Sequence, residues 1–146
     1  MKYPTMGFVF VIVVIAFYFF SIYGQDKIEY EVSVEQVKQM IAETDSLVLL
    51  DVRRVPEFDG SLGHIPGAIL LPLAELESRM IELEGFKESE MIVICRGGDR
   101  SGGATRLLRE NGFNAYNMNG GMLAWNDMLE TTKIDSTGES NETISE

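Results

Sequence analysis

The sequence predicts an α/β fold built on a parallel sheet with helices against its faces, and three observations carry that expectation. Leu47-Val48-Leu49-Leu50 and Met91-Ile92-Val93-Ile94 are unbroken apolar runs, which suit strands covered on both faces. Between and after them, apolar residues recur at helical spacing, so strands alternate with helices. The chain has 146 residues, a length that favours one domain once its two unusual ends are set aside.

Taken in order, Ile28, Tyr30 and Val32 alternate as a short strand. Ser33, with Gln36 three residues on, forms a capping box ahead of Val34, Val37 and Ile41, the apolar face of a first helix. The run 47–50 then ends at Asp51. Leu73, Leu76 and Met80 mark a second helix. The run 91–94 ends at Cys95, and Ser101 opens a third helix that carries Ala104, Leu107 and Leu108 and stops at Asn111-Gly112. Residues 115–118 fit a further strand and residues 122–129 a fourth, short helix. Ligands of open parallel sheets sit outside the carboxyl ends of the strands, and Asp51 and Cys95 both occupy that edge.

The ends read differently. Residues 8–20 (FVFVIVVIAFYFF) are all apolar or aromatic and follow Lys2. Thirteen residues match the core of a signal peptide, with Gly24 as the small residue before a cleavage at Gln25. Residues 6–23, at ~1.5 Å per helical residue, also come close to crossing a ~30 Å hydrocarbon core. Residues 1–24 are therefore expected to be a signal peptide or an uncleaved membrane anchor. In both cases Lys2 ahead of the run and Asp26, Glu29 and Glu31 behind it put the rest of the chain outside the cytoplasm, in a periplasmic location. Residues 131–146 (TTKIDSTGESNETISE) hold few groups to bury and are expected to form a disordered acidic tail. Residues 25–130 remain as the domain, with 19 acidic and 10 basic side chains, a net charge of −9.

That balance argues against nucleic acid as a partner, since binding needs clustered Lys and Arg. One Cys and one His exclude an internal disulfide and fall short of a usual zinc site, so no metal is expected. No GxxxxGK, nucleophile elbow or HExxH is present. Gly120-Gly121 lacks the following Lys and Ser or Thr of a phosphate loop and is expected to pack a short helix under the active loop.

The chemistry concentrates in Cys95-Arg96-Gly97-Gly98-Asp99-Arg100-Ser101. A strand, a glycine turn and a helix N-terminus make an anion cradle: Gly97 and Gly98 let backbone N–H groups turn inward, and the helix dipole adds positive potential. A thiol at its entrance, near Arg96 and Arg100, has its thiolate favoured and is a candidate nucleophile that needs neither a general base nor a cofactor. A plain packing cysteine would not require such a loop. Asp99 places a carboxylate in it, which opposes a dianionic ligand unless the side chain faces solvent. His64, in Gly63-His64-Ile65-Pro66-Gly67, is expected to be structural.

These residues resemble the rhodanese-like sulfurtransferases from about Val32 to Trp125. The resemblance rests on Leu49-Leu50-Asp51-Val52-Arg53 with Glu57-Phe58, on Gly63-His64-Ile65-Pro66-Gly67-Ala68, on the Cys95 loop, and on Gly120-Gly121-Met122-Leu123-Ala124-Trp125. It implies a three-layer fold with a five-stranded parallel sheet flanked by helices. It further implies that Cys95 accepts a sulfane sulfur as a persulfide, which the loop's N–H groups cradle while Arg96 and Arg100 face an anionic donor such as thiosulfate. A thiol or cyanide would then accept the sulfur. Residues Arg96, Gly97, Gly98, Asp99, Arg100 and Ser101 are on this basis expected to bind substrate, and Asp51, Arg53, Glu57 and His64 to shape the fold and the rim. Two alternatives follow from the same resemblance. Phosphatases of the Cdc25 type and arsenate reductases share the fold but call for C-x5-R, whereas Cys95 to Arg100 is C-x4-R. A non-catalytic rhodanese-like binding module is the other, and the presence of Cys95 argues against it.

Overall fold

In a computed structural model that describes residues 30–138, five parallel strands form one sheet: β1 (Glu31–Val32), β2 (Val48–Asp51), β3 (Ile69–Leu70), β4 (Glu90–Ile94) and β5 (Asn114–Met118), in the order β1-β5-β4-β2-β3. The two apolar runs are the interior strands β2 and β4, paired Val48 to Met91 through Asp51 to Ile94, so the carboxylate of Asp51 and the thiol after Ile94 arrive at the same edge. The helices are α1 (Val34–Glu43), α2 (Val55–Phe58), α3 (Leu73–Arg79), α4 (Asp99–Glu110) and α5 (Gly121–Gly138), with a 3-10 segment at Met80–Phe86.

Alternation along β2 and β4 sorts the core into two layers. Val48, Leu50, Met91 and Val93 pack with Leu76, Leu83, Ala104 and Leu108 from α3, the 3-10 segment and α4. Leu49, Ile92 and Ile94 point the other way, onto Val34 and Val37 of α1 and Met122 and Trp125 of α5. Strands buried on both faces need side chains of opposite parity to be equally apolar, which explains why these runs show no alternation in sequence.

The capping box of α1 is present, with the Gln36 N–H donating to Ser33 Oγ and the Ser33 N–H to Gln36 Oε1. Four expectations need correction. The first strand is only Glu31–Val32; Tyr30 lies outside it and Ile28 outside the described residues. Ile41 is exposed, because the buried face of the ten-residue α1 is confined to its first turns, at Val34 and Val37. The third helix opens at Asp99, with Gly98 as its cap, two positions before Ser101, because Gly98 takes the left-handed conformation (φ 103°) that turns the chain straight into the helix. Helix α5 runs past Leu129 to Gly138, so residues 131–138 are helical where a disordered tail is expected; Thr131 and Thr132 donate to the carbonyls of Asp127 and Met128. Extending a helix already nucleated by a packed segment costs far less than starting one. Elements α2 and β3, of four and two residues, are too short to have a period in sequence. Residues 1–24, expected to be a signal peptide or anchor, and residues 139–146 of the expected tail lie outside the described residues.

Candidate active site

Cys95 follows β4 directly and is 1% exposed. Its Sγ accepts the Gly98 N–H at 3.1 Å and the Ser101 hydroxyl at 3.2 Å. Burial pushes the thiol up, and the Ser101 hydroxyl, together with the N–H groups of Ser101, Gly98 and Gly97, pulls it down further, so its pKa ends below the ordinary thiol value. The loop donors and the start of α4 thus activate Cys95, a role expected in part of the two arginines. Replacing Ser101 by Ala is expected to raise the Cys95 pKa. The pH midpoint of its alkylation by iodoacetamide then moves upward, and alkylation at neutral pH slows severalfold.

The loop is held from behind by a second helix N-terminus. The Met122 and Leu123 N–H groups of α5 donate to the carbonyls of Cys95 and Arg96 at 2.9 and 3.0 Å. With those carbonyls bound on the outside, the N–H groups of the following residues are left to face the sulfur. Gly121 permits the approach: a Cβ there would lie 2.5 Å from the Cys95 carbonyl oxygen. The Gly120-Gly121 motif therefore does sit under the active loop, at the head of a longer helix than expected.

Arg100 does not stand free over the cradle. Its two terminal nitrogens donate to Glu57 at 2.9 and 2.6 Å, and Glu57 also accepts from Arg54 Nε at 3.2 Å. The Arg100 hydrogen bonds hold the Glu57 carboxyl down at about 2 despite the opposing effect of burial. Arg96 is exposed, and its side chain makes no hydrogen bond or ion pair among the described residues. Asp99 is likewise exposed, at the first position of α4, where the helix dipole favours a carboxylate.

Behind this layer lies the fully buried pair of Asp51 and Arg53. Arg53 reaches Asp51 with Nε and a terminal nitrogen, then the carbonyls of Glu57 and Gly63 at 3.0 and 2.7 Å. It thereby fixes α2, and with it the carboxylate that holds Arg100. His64 stacks on Phe58 at 3.8 Å and donates from Nδ1 to the Phe58 carbonyl, in keeping with a structural role.

A cleft of about 650 Å³ opens beside the loop, lined by the charged Arg54, Glu57, Arg96 and Arg100 and by the apolar Val52, Pro72, Leu73 and Ala74. The second set is absent from the expected site. Nothing in the sequence ties residues 72–74 to residues 96–100, since they meet only when the start of α3 is brought back to β2, Leu73 N–H donating to the Val52 carbonyl.

The rhodanese-like domain family model matches residues 33–128, spanning both capped helices, the loop and the glycines behind it. The chain belongs to the rhodanese-like domain family. Among relatives of this rhodanese-like chain, the provisionally named sulfur carrier protein YrkF of Bacillus subtilis is 38% identical over 101 residues, covering 68% of this chain and 52% of that protein. The present chain thus matches about half the length of that relative. A protein named sulfurtransferase from Allochromatium vinosum is 33% identical over 96 residues, 65% of this chain and 86% of its own. A crystal structure of a rhodanese-like domain protein from Staphylococcus aureus superposes with a TM-score of 0.60 at 29% identity, over 66% of this chain and 90% of that one.

Proposed function

We propose that this rhodanese-like protein is a sulfurtransferase that carries sulfane sulfur on Cys95. The observation that carries the reading is the Cys95 sulfur held by the Gly98 N–H and the Ser101 hydroxyl, an arrangement that stabilises negative charge on a sulfur. The names of its relatives agree with that chemistry.

The Cys95 thiolate attacks the outer sulfur of a donor, for which thiosulfate is the simplest candidate. A new S–S bond forms, the donor's S–S bond breaks, and sulfite leaves with the electron pair. A thiol or cyanide then attacks the outer sulfur of the persulfide, and the Cys95 thiolate departs to restore the starting state. Cys95 is the only cysteine of the chain, so no disulfide within the chain ends the cycle and turnover depends on an external acceptor. The pattern of residues 1–24, with Lys2 ahead of the apolar run and acidic residues behind it, supports work outside the cytoplasm, in the periplasm, after cleavage or on a retained anchor.

The test is the intact mass of the full chain after incubation with thiosulfate. The expected gain is one sulfur, about 32 Da, lost on adding cyanide and absent from Cys95→Ser. Absence of a gain with thiosulfate and with organic sulfane donors would overturn the reading.

A further inference from the structure

Two carbonyls of the turn that follows α2 are taken up by side chains from outside it. The Gly63 carbonyl accepts from the buried Arg53 at 2.7 Å, and the Leu62 carbonyl accepts from Asn126 Nδ2 at 3.1 Å, 64 positions away in sequence. The same Nδ2 donates to the Met122 carbonyl at 2.8 Å, one turn back along α5. An amide nitrogen has two hydrogens, and here both are committed. The bond within the helix aims the other hydrogen at the turn. Met122 is also the residue whose N–H holds the Cys95 carbonyl, so Asn126 ties the turn to the same stretch of α5 that backs the active loop.

The turn bears on the site in two ways. It lines a second cavity, of about 330 Å³, which shares Glu57 and Arg96 with the cleft and is completed by Arg53, Pro56 and the turn residues Gly60, Ser61 and Leu62. Arg96, without a carboxylate partner among the described residues, is the guanidinium left to meet an anion at that junction. The turn also holds Arg53 through Gly63; Arg53 holds the Glu57 carbonyl, and the Glu57 carboxylate holds Arg100. The donors that bond the Cys95 sulfur, the Gly98 N–H and the Ser101 hydroxyl, belong to the loop and α4 and lie outside both paths.

We propose that Asn126 is a positioning residue for sulfur transfer, fixing the turn 60–63 so that Arg96 and Arg100 stand where an anionic substrate needs them. The proposal rests on Cys95 being the sulfur carrier. Asn126 acts at a distance from the sulfur. Its two donors set the spacing between α5 and the turn, and through the turn the wall that meets Arg96 and the anchorage of Arg53. Substrate binding therefore depends on Asn126, and thiol activation does not.

The experiment measures sulfur transfer from thiosulfate to saturating cyanide by the full chain as wild type, Asn126→Ala and Asn126→Asp, beside the pH midpoint of Cys95 alkylation by iodoacetamide. Alanine removes both donors and keeps a good helix former in α5. Aspartate keeps the size of the side chain but, when ionised, has no donor and sets a carboxylate against two carbonyl oxygens. The KM for thiosulfate is expected to rise about three- to tenfold in Asn126→Ala, the range that one net hydrogen bond represents, and further in Asn126→Asp. In both variants kcat per folded molecule is expected to hold, and the alkylation midpoint to stay in place. A side chain with a structural role alone would give the opposite split, a smaller folded fraction at an unchanged KM. An unchanged KM in Asn126→Ala, a fall in kcat alone, or a shifted alkylation midpoint would overturn the proposal and leave the sulfurtransferase reading intact. If the wild type takes no sulfur on Cys95 from thiosulfate or organic sulfane donors, that reading falls, and this proposal with it.

Discussion

Asp51→Ala is expected to cost roughly 3–5 kcal/mol of folding stability, because it leaves a guanidinium buried without its counter-charge. Arg53 is 0% exposed and cannot turn to water for compensation. Against a total of about 5–15 kcal/mol for an ordinary domain, the loss leaves a large unfolded fraction at moderate temperature, measurable as a lower midpoint in urea. Removing both charges in Asp51→Ala/Arg53→Met is expected to recover much of the loss, since the penalty comes from the stranded partner more than from the broken bond. Arg53 also carries the Glu57 carbonyl, and Glu57 carries Arg100. The folded fraction of Asp51→Ala should therefore load sulfur with a raised KM as well as being scarcer.

Gly121→Ala is the second large effect. Its Cβ would lie 2.5 Å from the Cys95 carbonyl oxygen and 2.7 Å from the carbonyl carbon and oxygen of Arg96, at a residue with φ of 57°. The left-handed conformation and the overlap together are expected to cost roughly 2–4 kcal/mol. Relief comes only if α5 withdraws, which releases the two carbonyls it holds. A displacement of the order of 1 Å in a reacting group can cost about 100-fold, so persulfide formation in the folded variant should drop by at least that much. Circular dichroism alongside the mass assay separates lost fold from lost rate.

The elements that sequence made legible are those with a chemical or periodic signature of their own. The runs at β2 and β4 announced themselves by length and uniform apolarity, α1 by its Ser33 and Gln36 box, and the Cys95 loop by two glycines between a strand and a helix. Helix α2 has four residues and β3 two, and neither is long enough for a period to exist. The partner of Arg100 was hidden for a different reason. Glu57 lies 43 positions away, and a charged side chain does not declare across such a distance which opposite charge it will meet. The helix at residues 131–138 is not legible in their local composition, because the preceding turns of α5, anchored by Met122 and Trp125, supply its nucleus.

Ser101 has one hydroxyl proton and two acceptors within reach, the Cys95 sulfur at 3.2 Å and the Gly98 carbonyl oxygen at 3.0 Å. The carbonyl is never stranded, because it also receives the Gly102 N–H at 2.9 Å. The hydroxyl is thus a rotor between the Cys95 sulfur and the Gly98 carbonyl oxygen. In the proposed cycle the proton is expected to turn to Sγ while charge sits there, and to the carbonyl once that sulfur is the inner atom of a persulfide and the charge has moved outward. One bond rotation is then enough for the loop to answer the migrating charge, because both acceptors already lie within reach of the same hydroxyl.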